Sequence, residues 1–241
     1  MQKKTLVKIW AKSYETSKPI ADAEITDIVT GEKWRTGKDG YAEAHVAPGR
    51  ILSLKFNKAS HPGVQTATVT VPADGLKGED REITLQVPGK KLYKALRVAL
   101  GKPKSGTHHV VTTVSAAGKN LHDDSGEKDV VVTLRSADGK INRNDAIYLG
   151  TVFGKTEWLR PIAAERVPGL KRLRHKSTSR DGGAIFKNVP PGEYILEARK
   201  TGKDGKPVIF TTSRVIVFKD SPELINVSPP HSPRVLPPPK P

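Results

Sequence analysis

The side chains with the most chemistry in this sequence are its cations. Lys90, Lys91, Lys94, Arg97, Lys102 and Lys104 fall in a stretch from Ile83 to His122 that holds no Asp or Glu. Arg160, Arg166, Lys171, Arg172, Arg174 and Lys176 gather again just before Thr178. Cations grouped in this way attract phosphates or an acidic protein surface. The whole chain shares the bias, with 41 Lys+Arg against 25 Asp+Glu and a formal net charge of +16. A protein partner with an acidic surface is therefore expected, with nucleic acid as the alternative. Stacking platforms for bases are sparse, because only Tyr93 and Trp158 lie near the clusters. No helix-turn-helix, zinc-finger or RNA-recognition signature is present.

Catalytic chemistry is poorly supplied. There is no Gly-x-Ser-x-Gly elbow, and the absence of cysteine excludes a thiolate nucleophile, a disulfide and a cysteine zinc site. His-Glu-x-x-His is missing, and the seven histidines are scattered apart from His108-His109. On a strand these two point to opposite faces, so they are expected as ordinary surface or edge residues. Gly101-Lys102-Pro103-Lys104-Ser105-Gly106-Thr107 has the Gly-x4-Gly frame of a phosphate loop. Thr107 stands where that loop needs lysine, and no βαβ pattern surrounds it, which leaves a flexible basic linker. No catalytic residue, metal ligand or cofactor is expected, and the protein reads as non-enzymatic.

The elements that must position the cations are strands. From Lys4 to about Val87 apolar residues alternate in short runs divided by Gly, Pro and Asp: Thr5 to Trp10, Ala23 to Val29, Lys33 to Thr36, Tyr41 to Val46, Ile51 to Phe56, Thr66 to Val71 and Glu82 to Val87. Seven short strands with turn signals between them predict an antiparallel β-sandwich. A second series runs through Asp129 to Leu134, Ala146 to Val152, Gly183 to Asn188, Tyr194 to Arg199, Val208 to Val217 and Leu224 to Val227. Between the series, Leu92, Leu96 and Leu100 recur every four residues. Lys90 to Leu100 is thus a basic amphipathic helix ended by Gly101 and Pro103, with a strand as the competing reading. His108 to Ala116 resumes strand character and either opens the second sandwich or bridges the two.

Aligned on their turns, the two series repeat. Thr36-Gly37-Lys38-Asp39-Gly40-Tyr41-Ala42 with Pro48-Gly49-Arg50-Ile51 is echoed by Thr178-Ser179-Arg180-Asp181-Gly182-Gly183-Ala184 with Pro190-Pro191-Gly192-Glu193-Tyr194. This pattern resembles the transthyretin-like β-sandwich, a group that includes carboxypeptidase regulatory-like domains and the B-type repeats of bacterial collagen-binding surface proteins. The resemblance covers about residues 1 to 88 and 126 to 228. It implies accessory modules for binding, spacing or stability. The group's 5-hydroxyisourate hydrolases carry a Tyr-Arg-Gly-Ser signature that is absent here, and the five tyrosines do not give the spacing of its intradiol dioxygenases. The B-type repeats also imply an internal Lys-to-Asn bond, with Glu197 in the place of the promoting acid and Asn226 in the last strand. The lysine is missing, since Lys128 precedes and Arg135 follows the run taken as the first strand.

The expected organisation is all-β: a sandwich over 1–88, a basic linker or bridging segment over 89–125, a second sandwich over 126–228 with a basic insertion near 154–177, and a proline-rich tail over 229–241 acting as an extended spacer. No run approaches the roughly 18 uncharged apolar residues of a membrane span, so no membrane partner is expected. The first residues lack a secretory h-region. The protein is expected in the cytoplasm, or exported by a secretion machine or virion that needs no signal peptide. An adaptor or structural component of a bacterial or phage assembly fits these readings. A nucleic-acid-binding protein and an accessory module of an enzyme complex are the alternatives.

Overall fold

The computed structural model describes residues 4–116, 126–149, 151–152, 155–156, 176–179, 182–201 and 207–235. The first series folds as β1 (Thr5–Ser13), β2 (Glu24–Asp27), β3 (Lys33–Arg35), β4 (Tyr41–Val46), β5 (Ile51–Asn57), β6 (Val64–Thr70) and β7 (Glu82–Val87). Helix α1 (Lys90–Leu100) and β8 (His108–Thr113) follow. Then come β9 (Val130–Ser136), β10 (Asn142–Arg143), β11 (Ile147–Tyr148), β12 (Thr151–Val152), β13 (Lys155–Thr156), β14 (Gly183–Val189), β15 (Gly192–Thr201), β16 (Pro207–Val217) and β17 (Leu224–Val227).

The alternation seen in sequence is the alternation of burial. Val7, Ile9 and Ala11 of β1, Ala42, Ala44 and Val46 of β4, and Ile83, Leu85 and Val87 of β7 meet Ile25, Leu52, Leu54 and Phe56 of the opposed sheet. A second core joins Val110, Ala184, Phe186, Ile225 and Val227 to Val132, Leu134, Tyr194, Leu196 and Val215. The fold is an all-β sandwich architecture.

The two halves share one topology. In the first, β1 lies between antiparallel β4 and parallel β7; in the second, β8 lies between antiparallel β14 and parallel β17. The orders β3-β2-β5-β6 and β10-β9-β15-β16 correspond in the same way. The repeated turn explains why. Thr36 Oγ1 accepts the Ala23 N–H (2.9 Å) and donates to the Ile20 carbonyl (2.8 Å). Thr178 Oγ1 accepts the Val130 N–H (3.0 Å) and donates to the Glu127 carbonyl (2.6 Å). Gly40 and Gly182 sit at φ of 79° and 64°, and their carbonyls accept from Ala11 and Val114. By these equivalences β8 is the counterpart of β1, so the described residues 89–116 supply a helix and a strand that lies between β14 and β17.

The halves are also joined edge to edge. β17 pairs in parallel with β6, Leu224 opposite Val64 and Ile225 opposite Gln65, giving one eight-stranded sheet ordered β11-β14-β8-β17-β6-β5-β2-β3. Gln65, fully buried, donates to the Ile216 carbonyl (2.7 Å) and to Ser53 Oγ (3.0 Å), and accepts from Ser221 Oγ. Thr68 Oγ1 takes the Ile216 N–H at 2.8 Å. Two side chains thus satisfy both backbone groups of Ile216 on the outer edge of β16. Leu224 packs in the first core and Ala67 in the second, so each half contributes to the other's interior.

The basic linker at 101–107 is ordered into this body: the Lys104 N–H reaches Asn188 Oδ1 (3.0 Å), and Thr107 Oγ1 donates to the Lys104 carbonyl (2.7 Å). The tail differs from a spacer over its first part. Ser115 donates its N–H to the Pro233 carbonyl (2.9 Å) and accepts from the Val235 N–H (3.0 Å), and Val235 is buried in the second core. Its remainder, 236–241, lies outside the described residues.

Candidate functional site

Helix α1 is amphipathic because Leu92, Leu96 and Leu100 fall on one stripe, and that stripe packs on Val111, Ile147, Leu149 and Ile185 of the sheet's outer face. Gly101, at φ 83°, ends the helix and returns its N–H to the Arg97 carbonyl. At the other end the Gly89 N–H is taken by the Glu15 carboxylate (2.9 Å). The helix is fixed by its apolar face, and Lys90, Lys91 and Lys94 are exposed to solvent while Arg97 is half-buried.

Beside it lies an open groove of about 380 Å³, between α1 and the loop joining β5 to β6. Four of the sequence-predicted cations, Lys90, Lys94, Arg97 and Lys102, line it. Lys91 is exposed outside it, and Lys104 is exposed in the turn that follows the helix. Lys176 is exposed, whereas Arg160, Arg166, Lys171, Arg172 and Arg174 lie outside the described residues. Sequence reasoning missed the opposite wall, His61 and Pro62, and the floor contributed by Tyr93 and Val98. Val98, 64% exposed on an otherwise polar face of an amphipathic helix, was the available signal.

Glu223, outside the lining, ties two of the lining residues together. It accepts the Tyr93 hydroxyl at 2.5 Å and pairs with Arg97 at 3.2 Å, and the guanidinium also lies 5.8 Å from the Tyr93 ring centre. Burial, and then the hydrogen bond to Glu223, push the Tyr93 hydroxyl well above its ordinary range, so it stays protonated and donating. His61 is held below the usual histidine value, first by burial and then by repulsion from Lys58, against a raising influence from Glu15. Lys90, Lys94 and Lys102 form no ion pair among the described residues. Among the described residues the groove therefore keeps three ammonium groups without ion pairs, in a lining that also holds Pro62, Tyr93 and Val98.

A second concavity is crossed by the protein's own bonds. A cleft of about 460 Å³ at the seam holds Arg214, which is bound to Glu193 (2.8 Å) and Thr70 (3.2 Å), and Ser232, bound to Ser115 (2.9 Å). His108 and His109, expected at a surface or edge, are both buried, because β8 is central in the eight-stranded sheet. His108 bonds the Pro222 carbonyl through Nδ1 (2.9 Å); His109 bonds the Gly101 carbonyl through Nε2 (3.2 Å) and receives the Asn188 N–H on Nδ1 (3.3 Å).

The Lys-to-Asn link implied by the resemblance has no geometry here. The opening strand β8 carries no lysine. Glu197 points to the outer face, where it pairs with Arg199 (2.8 Å) and Arg135 (3.7 Å), and Asn226 donates its amide to the Gln86 carbonyl (2.8 Å). Among the described residues no cluster of His, Asp and Glu has a metal-binding arrangement, and no helix is long and apolar enough to cross a membrane.

No protein-family profile matches the chain, and no curated protein matches it. Among solved structures it is similar to the TIE protein of Bacillus anthracis, at 14% identity and a TM-score of 0.26, over 93% of this chain and 33% of that one. The chain thus spans about a third of that protein's length. It is similar to the minor pilin of Streptococcus agalactiae at 11% identity and a TM-score of 0.27, over 98% of both chains. The major pilin subunit BcpA of Bacillus cereus aligns at 10% identity and a TM-score of 0.23, over 86% of this chain and 54% of that one.

Proposed function

We propose that this protein is a non-enzymatic structural adaptor: two transthyretin-like modules fused into one rigid body that presents a cationic helix to an acidic protein partner within a bacterial or phage assembly. The observation that carries the reading is the seam. A shared eight-stranded sheet and a helix packed on its outer face hold both modules in fixed relation, which suits a part that sets geometry between partners. Loops and helices on such a scaffold are where recognition is placed, and α1 carries Lys90, Lys91, Lys94 and Arg97 with no acid in its own sequence.

The test is capture from nuclease-treated lysate of the protein's own host at low and moderate salt, with the retained chains identified by mass spectrometry. A stoichiometric protein partner that is lost on charge reversal of Lys90, Lys91, Lys94 and Arg97 supports the reading. Capture unaffected by those reversals removes the helix from the interface. Retention that vanishes with nuclease moves the function to nucleic acid, and binding should then fall steeply with salt.

A further inference from the structure

Resting on the adaptor reading, we infer that the groove beside α1 is a docking site for an extended acidic peptide segment that inserts one aliphatic side chain. Charge complementarity selects the acid: Lys90, Lys94 and Lys102 ring the groove without ion pairs among the described residues, while Arg97 is held by Glu223. The floor selects the aliphatic group. Val98 is 64% exposed, and together with Pro62 and Tyr93 it supplies the apolar part of the lining that Lys90, Lys94 and Lys102 share.

A nucleic-acid backbone would satisfy the lysines but leave this apolar lining in water. The Tyr93 ring is also a poor platform for a base, because its hydroxyl is tied to Glu223 and the Arg97 guanidinium lies 5.8 Å from the ring centre, and the His61 ring is already in edge contact with Phe56. A peptide alternating carboxylates with one leucine or valine meets both needs, each carboxylate on an ammonium and the aliphatic group on Val98. The groove is open to solvent and both of its walls are anchored: α1 by its leucine stripe, and the facing loop by a Phe56–His61 edge contact, with ring centres 5.9 Å apart. Little ordering cost is then left for the protein.

The probe is a fluorescein-labelled peptide of about ten residues, all Asp and Glu apart from one central leucine, titrated with the full chain by anisotropy. A matched peptide with alanine in place of leucine and an oligothymidylate of equal charge are titrated alongside. The leucine peptide is expected to bind more tightly than either control. Lys94→Glu with Lys102→Glu should weaken it at least about tenfold, and Val98→Ser about threefold. Lys38→Glu, on a turn of the first sandwich, should leave it unchanged. All these positions are exposed, so melting curves matching the parent verify the fold.

Equal binding of the leucine and alanine peptides, an unchanged titration in the double lysine variant, or tighter binding of the oligothymidylate would each overturn the proposal. The assay needs no host protein, which separates the two claims. Peptide binding without any captured partner would sink the adaptor reading and leave the groove standing. A captured partner indifferent to Lys94, Lys102 and Val98 would do the reverse.

Discussion

Thr36 and Thr178 each tie the same two backbone groups together at the same corner of their sandwiches, yet the edges beside those corners have opposite fates. In the second sandwich the outer edge of β17 is taken by β6 as a strand partner. In the first, the corresponding flank at β7 is met by the Asn226 amide on the Gln86 carbonyl. The repeated residues, Thr-x-x-Asp-Gly and Pro-Gly, therefore encode how one sandwich closes. The unrepeated ones, Gln65, Asn226, Glu223 and the leucine stripe of α1, encode how the two become one body and what that body shows to solvent.

The sharpest way to break this comparison is at the corner glycines. A Cβ on Gly182 would lie 2.4 Å from the Val114 carbonyl oxygen, and one on Gly40 2.7 Å from that of Ala11. At Gly49, also at positive φ, nothing lies within 4 Å. Gly182→Ala should cost about 3 kcal/mol or more, Gly40→Ala slightly less, and Gly49→Ala only the backbone strain of about 1 kcal/mol. Urea unfolding of the three variants measures the order, and a Gly49 cost equal to that of Gly182 would show that the corners are not the tight points.

The seam comes next. If it fuses the halves, the parent unfolds in one calorimetric transition, with equal calorimetric and van't Hoff enthalpies. Leu224→Ala, which removes a β17 side chain from the first core, should lower stability by about 2 to 3 kcal/mol, with both cores melting together. Two separated transitions in the parent would reduce the shared sheet to a contact between independent modules.

The threonines give a smaller and more symmetrical effect. Valine at either position leaves one buried N–H and one carbonyl without their partner, a loss of about 1 to 3 kcal/mol. The two variants should agree within about 0.5 kcal/mol. A large difference would mean that the likeness of the corners is one of shape and not of energy.

The strands were legible because burial alternates along them, and α1 was legible because its leucines keep helical spacing up to a glycine stop. What stayed hidden has physical reasons. The corner motif marks the middle of each copy and says nothing of its first strand, so the sequence left His108 to Ala116 open between opening the second sandwich and bridging the two. The pairing of β6 with β17 joins remote segments through backbone bonds and leaves no periodic trace. Strands buried on both faces, as Leu224 to Val227 are, read simply as apolar runs. The tail residues dock through the Ser115 backbone, which composition does not report. The cations on α1 were visible as letters, but only folding brings His61 and Pro62 across from them.

His109 makes the finest distinction between the halves, since it bonds the end of α1 to the bulge in β14 at Asn188, a tie made within the second half. Its Nε2–H donates to Gly101 and its Nδ1 accepts from Asn188, which fixes the neutral form. Burial first, with repulsion from Lys187 and His108, holds its pKa below the ordinary 6.5, against raising influences from the Gly101 bond and Glu223. The unfolded chain therefore takes up the proton more readily than the folded one. The contribution is intact above pH about 6.5 and is lost as pH falls toward the depressed folded value. Stability measured from pH about 7.5 to 5.5 should decline in the parent and decline less in His109→Gln. His61→Gln, at a half-exposed loop position with a milder environment, should remove a smaller part of the slope. If His109→Gln kept the parent's full slope, the acid sensitivity would lie outside the contact of α1 with β8 and β14, and the histidine would be a packing residue there and nothing more.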